Sequence, residues 1–298
     1  MIPTRMVSLR VLVATTLVML FGACASASPP ETVGRVVAEA PPAWATSVLD
    51  AVLWMQTSAE YESLARQTWA MAGRRMRAGL EDTTWTAALE QLPGYGSLPP
   101  AVIVDVDETV LDNSPYAARL IEAEEGYSDE SWSLWVNEAQ ARAIPGAVKF
   151  ARLARELGVE VFYVTNRNFT LEAGTRRNLL AVGFPPGQAD DSYLLVRERE
   201  AWGSDKTTRR AHVAESYRIL LLVGDDLNDF LSGARSGREA RASLMVEHTA
   251  NWGSKWIMLP NPTYGSWENA ITYGESGLSR DALLIRKLST LDSADPQD

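Results

Sequence analysis

Residues 101–109 have the sequence AVIVDVDET, in which a short apolar run follows Pro99 and Pro100 and ends at a pair of aspartates. An uninterrupted apolar run of this length, bounded by turn residues, predicts a strand that is buried on both faces of a parallel sheet. Asp105 and Asp107 would then lie at the carboxyl end of that strand, where ligands bind in open parallel sheets. This stretch therefore predicts both the class of the fold and the place of a site.

The rest of the chain repeats the pattern. Similar apolar runs alternate with amphipathic helical patterns, which predicts an α/β fold with a parallel sheet covered by helices on both faces. The further predicted strands cover residues 159–164, 193–196, 219–223 and 256–259. The predicted helices between the strands cover residues 146–157, 171–182, 206–215 and 230–245.

Two other segments complete a predicted domain over residues 44–298. Residues 44–98 are expected to form a helical lead-in, with one long or two shorter helices over 44–77 and a further helix over 83–92. Residues 110–144 interrupt the first crossover with an acidic, aromatic sequence. We interpret them as a cap inserted over one end of the sheet.

The first 43 residues differ from the rest. A basic start, an apolar run over 11–21 and small residues before Cys24 have the layout of an export signal, and the run is shorter than the ~20 residues of a membrane span. Cys24 is the only cysteine, so no internal disulfide is possible. A lone cysteine at this place resembles a bacterial lipoprotein signal, which implies cleavage after residues 1–23, lipidation of Cys24 and a tether over 24–43. The alternatives are an ordinary cleaved export signal with an incidental cysteine, or cleavage within residues 25–27.

The charge of the chain limits its ligands. The formal net charge is −10 at pH 7, and an acidic surface repels polyanions, which argues against binding of a nucleic acid polymer. A phosphate ester would need local positive charge, which a divalent cation supplies. A small-molecule ligand is therefore expected.

Residues with suitable chemistry fall at the ends of several predicted strands. The carboxyl ends of parallel strands meet at one edge of a sheet, so these residues are expected to lie together. They are Asp105 and Asp107 after the first strand, Thr165 and Asn166 after the second, Lys206 before the fourth, and Asp225 and Asp229 after it. Clustered carboxylates need a cation to stay ionised, and hard oxygen ligands suit one Mg²⁺ ion. Lys149 and Lys255 are rivals of Lys206 for the basic position.

The residue types predict a division of roles. Asp105 would attack phosphorus to form an aspartyl-phosphate, while Asp107 would protonate the leaving oxygen and later activate water. Thr165, Asn166 and Lys206 would bind the phosphoryl oxygens. A simple turn or helix cap is the alternative for the aspartates, because Asp is also favoured there.

These motifs resemble all four motifs of the haloacid dehalogenase (HAD) superfamily. Within it, the chain is most similar to the class C nonspecific acid phosphatases, the bacterial lipoprotein 5′-nucleotidase group. The similarity lies in DVDETVLDNS (105–114), TNR (165–167), GDDLNDF (224–230) and LPNPTYG (259–265). Glu108 replaces the glycine common in the wider superfamily and agrees with this group.

The resemblance implies a HAD-like Rossmannoid sheet and one Mg²⁺ ion. The metal would be held by Asp105, Asp225 and the backbone carbonyl of Asp107, with Asp229 beside it. The implied activity is Mg²⁺-dependent hydrolysis of phosphomonoesters, among them 5′-nucleotides. The implied location is the bacterial outer membrane, facing the periplasm or the surface, with the lipid as the only membrane anchor.

Several alternatives stay open at this point. Trp132, Trp135 and Tyr264 lie in the cap and after the last strand, where they would either stack on a nucleobase or simply pack. The enzyme would pass the phosphoryl group either to water or to an acceptor hydroxyl. A non-catalytic binding lipoprotein with the same fold is the third possibility. The protein would be either a monomer or a homodimer.

Overall fold

The computed structural model describes residues 43, 46–187, 193–200 and 202–294. They belong to one compact unit, Pro41–Asp298. The predicted signal, Cys24 and nearly all of the tether lie outside the described residues, so the lipid anchor stays a prediction. Among the helices of the described region, none is both long and apolar enough to cross a bilayer.

A parallel sheet forms the centre of this unit. The described strands are β1 (Pro100–Val104), β2 (Leu111–Asp112), β3 (Arg142–Ala143), β4 (Glu160–Asn168), β5 (Leu194–Arg197), β6 (Arg218–Gly224) and β7 (Trp256–Met258). Five of them form the main sheet in the order β5-β4-β1-β6-β7, with every neighbouring pair parallel. The predicted α/β fold and its strands are confirmed.

Helices cover both faces of the sheet, and further helices lie outside these two layers. They are α1 (Leu49–Thr57), α2 (Ala59–Glu81), α3 (Ser114–Glu122), α4 (Asp129–Glu138), α5 (Ala147–Glu156), α6 (Glu172–Ala181), α7 (Thr207–Ser216), α8 (Arg238–Glu247), α9 (Ser266–Asn269) and α10 (Arg280–Leu288). The sequence patterns predict neither α9 nor α10.

Strand β1 is buried on both faces because its side chains alternate between two apolar clusters. Val102 and Val104 join the cluster that contains residues of α2 and α5, while Ala101 and Ile103 join the cluster that contains residues of α7. Burying a Val or Ile side chain stabilises a protein by about 1.5–3 kcal/mol. The strand that precedes the aspartates is thus anchored in both apolar clusters.

The helical lead-in differs in part from the prediction. It contains two helices that break at Ser58, whose hydroxyl accepts a hydrogen bond from the Tyr61 amide (3.0 Å) at the start of α2. The predicted helix over 83–92 is wrong. There the Ala87 amide donates to the Ile219 carbonyl (2.7 Å), and the Trp85 indole donates to a β6 carbonyl. Bonds to the sheet replace the bonds that a helix would make.

The predicted helix over 230–245 is wrong in its first half, since α8 begins only at Arg238. After β6 the chain forms a 3₁₀ turn, Leu227–Asp229, which the side chains of Asp226 and Asp229 cap. The side chains of Asp226 and Asp229 accept hydrogen bonds from backbone amides of this turn, and the turn ends before a regular helix forms.

Residues 110–144 form α3, α4 and the short antiparallel pair of β2 and β3. Leu111 pairs with Ala143 in that ladder, so both ends of the segment lie just beyond β1. The insertion therefore starts and finishes beside the carboxyl end of the central strand.

Candidate active site

Two aspartates follow neighbouring strands of the sheet. Asp105 comes directly after β1, and its amide donates to the Val223 carbonyl of β6 (2.9 Å). Asp225 comes directly after β6. Because β1 and β6 run parallel and side by side, the two carboxylates meet, and Asp229 joins them from the following turn. Ligand oxygens of the three aspartates lie within 4.8 Å of one another.

Lys206 is the basic residue of this cluster. It stands at the start of α7 with 3 % of its surface exposed, and its ammonium donates to Asp105 and to Asp229 Oδ1 (2.6 Å for the latter). Its rivals lie elsewhere: Lys149 is exposed on α5, and the Lys255 ammonium lies 5.5 Å from the centre of the Trp85 ring.

Asp229 connects the lysine to the loop after β6. One of its oxygens contacts Lys206, and the other accepts the amides of Asp225 (3.1 Å) and Asp226 (2.9 Å). A Cβ atom on Gly224 would overlap the Asp229 carboxylate, so this close approach requires glycine. Asp229 is therefore well placed to position Lys206.

The Asp225 carboxylate is held by neutral donors. Its Oδ1 accepts from the Thr109 hydroxyl (3.0 Å), and its Oδ2 accepts from the Asn261 amide (2.8 Å). Such hydrogen bonds orient a metal-ligating group. Asn261 belongs to the 259–265 run, and sequence reasoning gave it no role.

Electrostatics in the cluster favour a bound cation. Burial raises the pKa of Asp105 to about 7, with Lys206 acting against the rise and Asp229 adding to it. Burial, and then the charge of Asp105, raise the pKa of Asp225 well above its ordinary value. The ammonium of Lys206 balances only one of the three carboxylates. Buried oxygen ligands with surplus negative charge fit a divalent cation.

Asp107 points to a different set of partners. Its Oδ1 accepts from Arg167 Nη2 (2.7 Å) and from the side-chain amide of Asn113 (2.8 Å), and its Oδ2 lies 3.4 Å from the Thr165 hydroxyl. The Arg167 side chain is 1 % exposed. Sequence reasoning missed Arg167 as a site residue. The available signal was its place two residues after Thr165 in β4, because alternate residues of a strand face the same side.

Asn113 is itself fixed by two neighbours. Its side-chain oxygen accepts from the Trp135 indole (2.8 Å), and its backbone amide donates to Glu108 Oε1 (2.8 Å). Trp135 is 2 % exposed. For Trp135 the structure supports the packing alternative over stacking on a substrate: the ring is buried in the core, and its N–H group orients Asn113.

Glu108 has a left-handed backbone, with φ = 55°. Glycine adopts this conformation without strain, which explains why glycine is common there in the wider superfamily. Here the buried glutamate carboxylate accepts from the Asn113 amide and from the Tyr264 hydroxyl. Those contacts hold the strained turn in place.

The other two aromatic candidates line the cavity. The Arg167 guanidinium lies 5.3 Å from the centre of the Trp132 ring, and Tyr116 packs edge-on against the same ring at 5.1 Å. Tyr264 is 42 % exposed. The ring of Tyr264 is thus more accessible to a ligand than the ring of Trp132, which packs against Tyr116 and Arg167.

The predicted phosphate-binding residues after β4 have different environments. Thr165 is fully buried, and its hydroxyl faces Asp107 and accepts from the Arg167 amide (3.1 Å). Asn166 lines the cavity and accepts from Arg209 Nη2 (2.6 Å). Arg209, fully buried, thereby orients the Asn166 side chain.

A cavity of about 710 Å³ opens at this end of the sheet. Its wall includes Asp105, Asp107, Asn166, Lys206, Asp225 and Asp229. The strand ends thus bring together most of the residues that the sequence predicts, with Thr165 behind Asp107.

Known proteins resemble the chain over most of its length. The model of the HAD superfamily, subfamily IIIB (acid phosphatase), matches residues 13–267. The class C acid phosphatase from Bacillus anthracis has a TM-score of 0.75 and 31% identity, over 85% of this chain and 100% of that chain. The same phosphatase with tungstate bound gives a TM-score of 0.75 and 31% identity, over 84% of this chain and 99% of that one.

Curated plant proteins match over a shorter stretch. Acid phosphatase 1 from Solanum lycopersicum is 30% identical over 167 residues, or 54% of this chain and 57% of that protein. The stem 31 kDa glycoprotein from Glycine max is 26% identical over 165 residues, or 54% of this chain and 58% of that protein. The chain thus spans somewhat more than half the length of these relatives.

Proposed function

Since the chain belongs to the acid phosphatases of HAD superfamily subfamily IIIB, we propose that it hydrolyses phosphomonoesters through an aspartyl-phosphate on Asp105, with Mg²⁺ as cofactor. The observation that carries the proposal is the cluster of the buried Asp105, Lys206 and Asp229 with the half-buried Asp225 on the wall of one cavity. Tungstate, bound in the related Bacillus anthracis structure, is an oxyanion like phosphate and supports an oxyanion site in this fold.

In the first step, a carboxylate oxygen of Asp105 forms a bond to phosphorus while the bond from phosphorus to the leaving oxygen breaks. Asp107 gives its proton to that oxygen, so the alcohol leaves neutral. The Lys206 ammonium orients Asp105 and stabilises negative charge on the phosphoryl oxygens.

In the second step, Asp107 takes a proton from a water molecule as the water oxygen attacks the phosphorus of the aspartyl-phosphate. The bond to Asp105 breaks, which releases inorganic phosphate and restores the free carboxylate. A bound Mg²⁺ ion, held by Asp105, Asp225 and the backbone carbonyl of Asp107, would supply positive charge to the carboxylates and to the phosphoryl group.

The function is tested by rates of phosphomonoester hydrolysis with and without Mg²⁺. We expect p-nitrophenyl phosphate to be hydrolysed, the activity to disappear with a chelator and Mg²⁺ to restore it. No hydrolysis at any Mg²⁺ concentration would favour the non-catalytic alternative. Undiminished activity in the chelator would contradict the metal assignment.

The acceptor of the phosphoryl group and the preferred substrate need separate measurements. If the phosphoryl group passes to an acceptor hydroxyl, an added alcohol will appear as a phosphate ester in the products, in place of inorganic phosphate. For the proposed 5′-nucleotide preference, the exposed ring of Tyr264 is the main support. Adenosine 5′-monophosphate should then be a better substrate than ribose 5-phosphate, and equal rates would contradict the preference.

Arg167 is expected to position the catalytic acid, because its guanidinium holds Asp107 with two nitrogens. Arg167→Leu should lower kcat by about 10²-fold. The loss should be larger for methyl phosphate than for p-nitrophenyl phosphate, since only the poor leaving group needs a proton. Steady-state kinetics on both esters measure the difference.

The control for this prediction is Arg142→Leu. Arg142 also pairs with an aspartate, Asp112, but its side chain is 63 % exposed. Asp112 is buried but also accepts the Ser114 amide (2.9 Å), and its solvent-exposed partner contacts none of the residues of the Asp105 cluster, so this variant should keep its activity. Equal losses on both esters in Arg167→Leu would instead indicate a general structural role for Arg167.

A further inference from the structure

The cavity extends beyond the carboxylates, between α3 and α10. On one side it is lined by Ala117, Leu120 and Ile121 of α3, and on the other by Leu283 and Leu284 of α10. We call these five residues the apolar chamber. It shares one continuous cavity with Asp105 and Lys206.

Helix α10 presents one face to the cavity. Its lining residues are Arg280, Leu283, Leu284 and Lys287, which have the spacing of a single helical face. Leu283 and Leu284 are half-buried, whereas Ile285 is 66 % exposed and does not line the cavity.

Helix α3 sets the length of the chamber. It begins next to the proposed acid, because the Asn113 amide just before it donates to Asp107. From Ser114 to Ile121 the helix advances about 10 Å at 1.5 Å per residue. A phosphoryl group at Asp105 cannot reach that far, so the chamber faces whatever is attached to the phosphate.

Charged residues stand at both ends of the α10 face, Arg280 at one end and Lys287 at the other. The Lys287 ammonium, at the far end of the α10 face, is paired with Glu268. The cavity of about 710 Å³ lies within the range of roughly 300–1,000 Å³ that is usual for small-ligand pockets. Apolar walls at this distance from the phosphate suit an apolar group.

We propose that the apolar chamber binds the leaving group of the substrate and favours phosphomonoesters of alcohols with several apolar carbon atoms. The inference rests on the phosphomonoesterase activity proposed above. Each methylene group that the chamber buries should raise kcat/KM by up to about fourfold. The gain should stop once the alkyl chain fills the space between α3 and α10.

The test is kcat/KM of the full chain with Mg²⁺ on methyl, propyl and hexyl phosphate. We expect propyl phosphate to exceed methyl phosphate by on the order of tenfold, and hexyl phosphate to exceed propyl phosphate. Leu284→Asp should bring the hexyl-to-methyl ratio close to one, because a carboxylate in the chamber opposes burial of the chain. The matched control, Ile285→Asp, changes the next residue on the exposed face and should keep the wild-type ratio.

The outcomes separate this inference from the proposed function. If neither methyl phosphate nor p-nitrophenyl phosphate is hydrolysed, the proposed function fails. If both are hydrolysed but wild-type rates do not depend on chain length, the chamber alone is contradicted. An unchanged ratio in Leu284→Asp also contradicts it. Thermal unfolding checks that the variant folds, and Leu284→Gln, a milder polar change, gives the same test if it does not.

Discussion

Asp105→Asn is expected to lower kcat for p-nitrophenyl phosphate by on the order of 10⁴-fold or more, in a protein that stays folded. The amide has nearly the same shape as the carboxylate but is not a nucleophile toward phosphorus. Its oxygen still accepts a hydrogen bond from Lys206, which also keeps its contact with Asp229. Burial raises the pKa of Asp105 to about 7, so a neutral side chain there also relieves repulsion among the buried carboxylates.

Steady-state turnover and thermal unfolding, measured on the same preparations, check this expectation. Asp50→Asn makes the same chemical change at an exposed position in the first turn of α1 and should leave turnover intact. If the activity of Asp105→Asn lies within tenfold of the wild-type activity, the assignment of Asp105 as the nucleophile is contradicted. Loss of folding in that variant would mean that Asp105 is chiefly structural.

Lys206→Met is expected to lower the free energy of unfolding by about 3–5 kcal/mol at pH 8 without metal, because it leaves buried carboxylates without their cation. Activity should also be lost. Mg²⁺ should restore part of the stability, since a bound cation stabilises the folded state. Urea denaturation with a chelator and with Mg²⁺ measures both effects.

The loss in the free energy of unfolding caused by Lys206→Met should grow with pH. Lys206 opposes the rise in the pKa of Asp105, so without it that pKa should lie still further above its value in the unfolded chain. The folded state then binds more protons than the unfolded state between about pH 4 and the raised pKa. Stability therefore falls as pH rises through that window, and the variant should be closer to wild type at pH 5 than at pH 8.

An exposed ion pair is the control for this experiment. Arg66 pairs with Glu62 on α2, with both side chains more than half exposed, so Arg66→Met should cost at most about 1 kcal/mol at either pH. If Lys206→Met were as stable as wild type at pH 8 in the chelator, the Lys206 ammonium would not be what stabilises the clustered carboxylates, and the prediction would be contradicted.

The main sheet could be predicted from the sequence because burial on both faces leaves an unbroken apolar run, as in Val102, Ile103 and Val104. Residues 83–92 could not, since their structure depends on bonds to β6 that no local pattern encodes. The late start of α8 also escaped prediction, because the turn before it is closed by hydrogen bonds from backbone amides to the side chains of Asp226 and Asp229.

The candidate site also has a part that the sequence predicts and a part that depends on tertiary contacts. Asp105 and Asp225 follow from topology alone, because adjacent parallel strands must bring their last residues together. Arg167, Asn113 and Trp135 depend on where side chains point. An aromatic residue in an inserted segment gives no sign of whether its ring faces a ligand or the core.

Helix α10 lies beyond residue 267, where the family match ends, and after β7, the last strand of the main sheet. The α10 side of the apolar chamber, Leu283 and Leu284, thus stands on a separate stretch of chain from the reacting groups, whereas the α3 side follows them closely. Exchanging residues 280–288 would leave the strand ends and their carboxylates untouched. If the apolar chamber binds the leaving group as proposed, a mutant library aimed at a new substrate range should start at this helix.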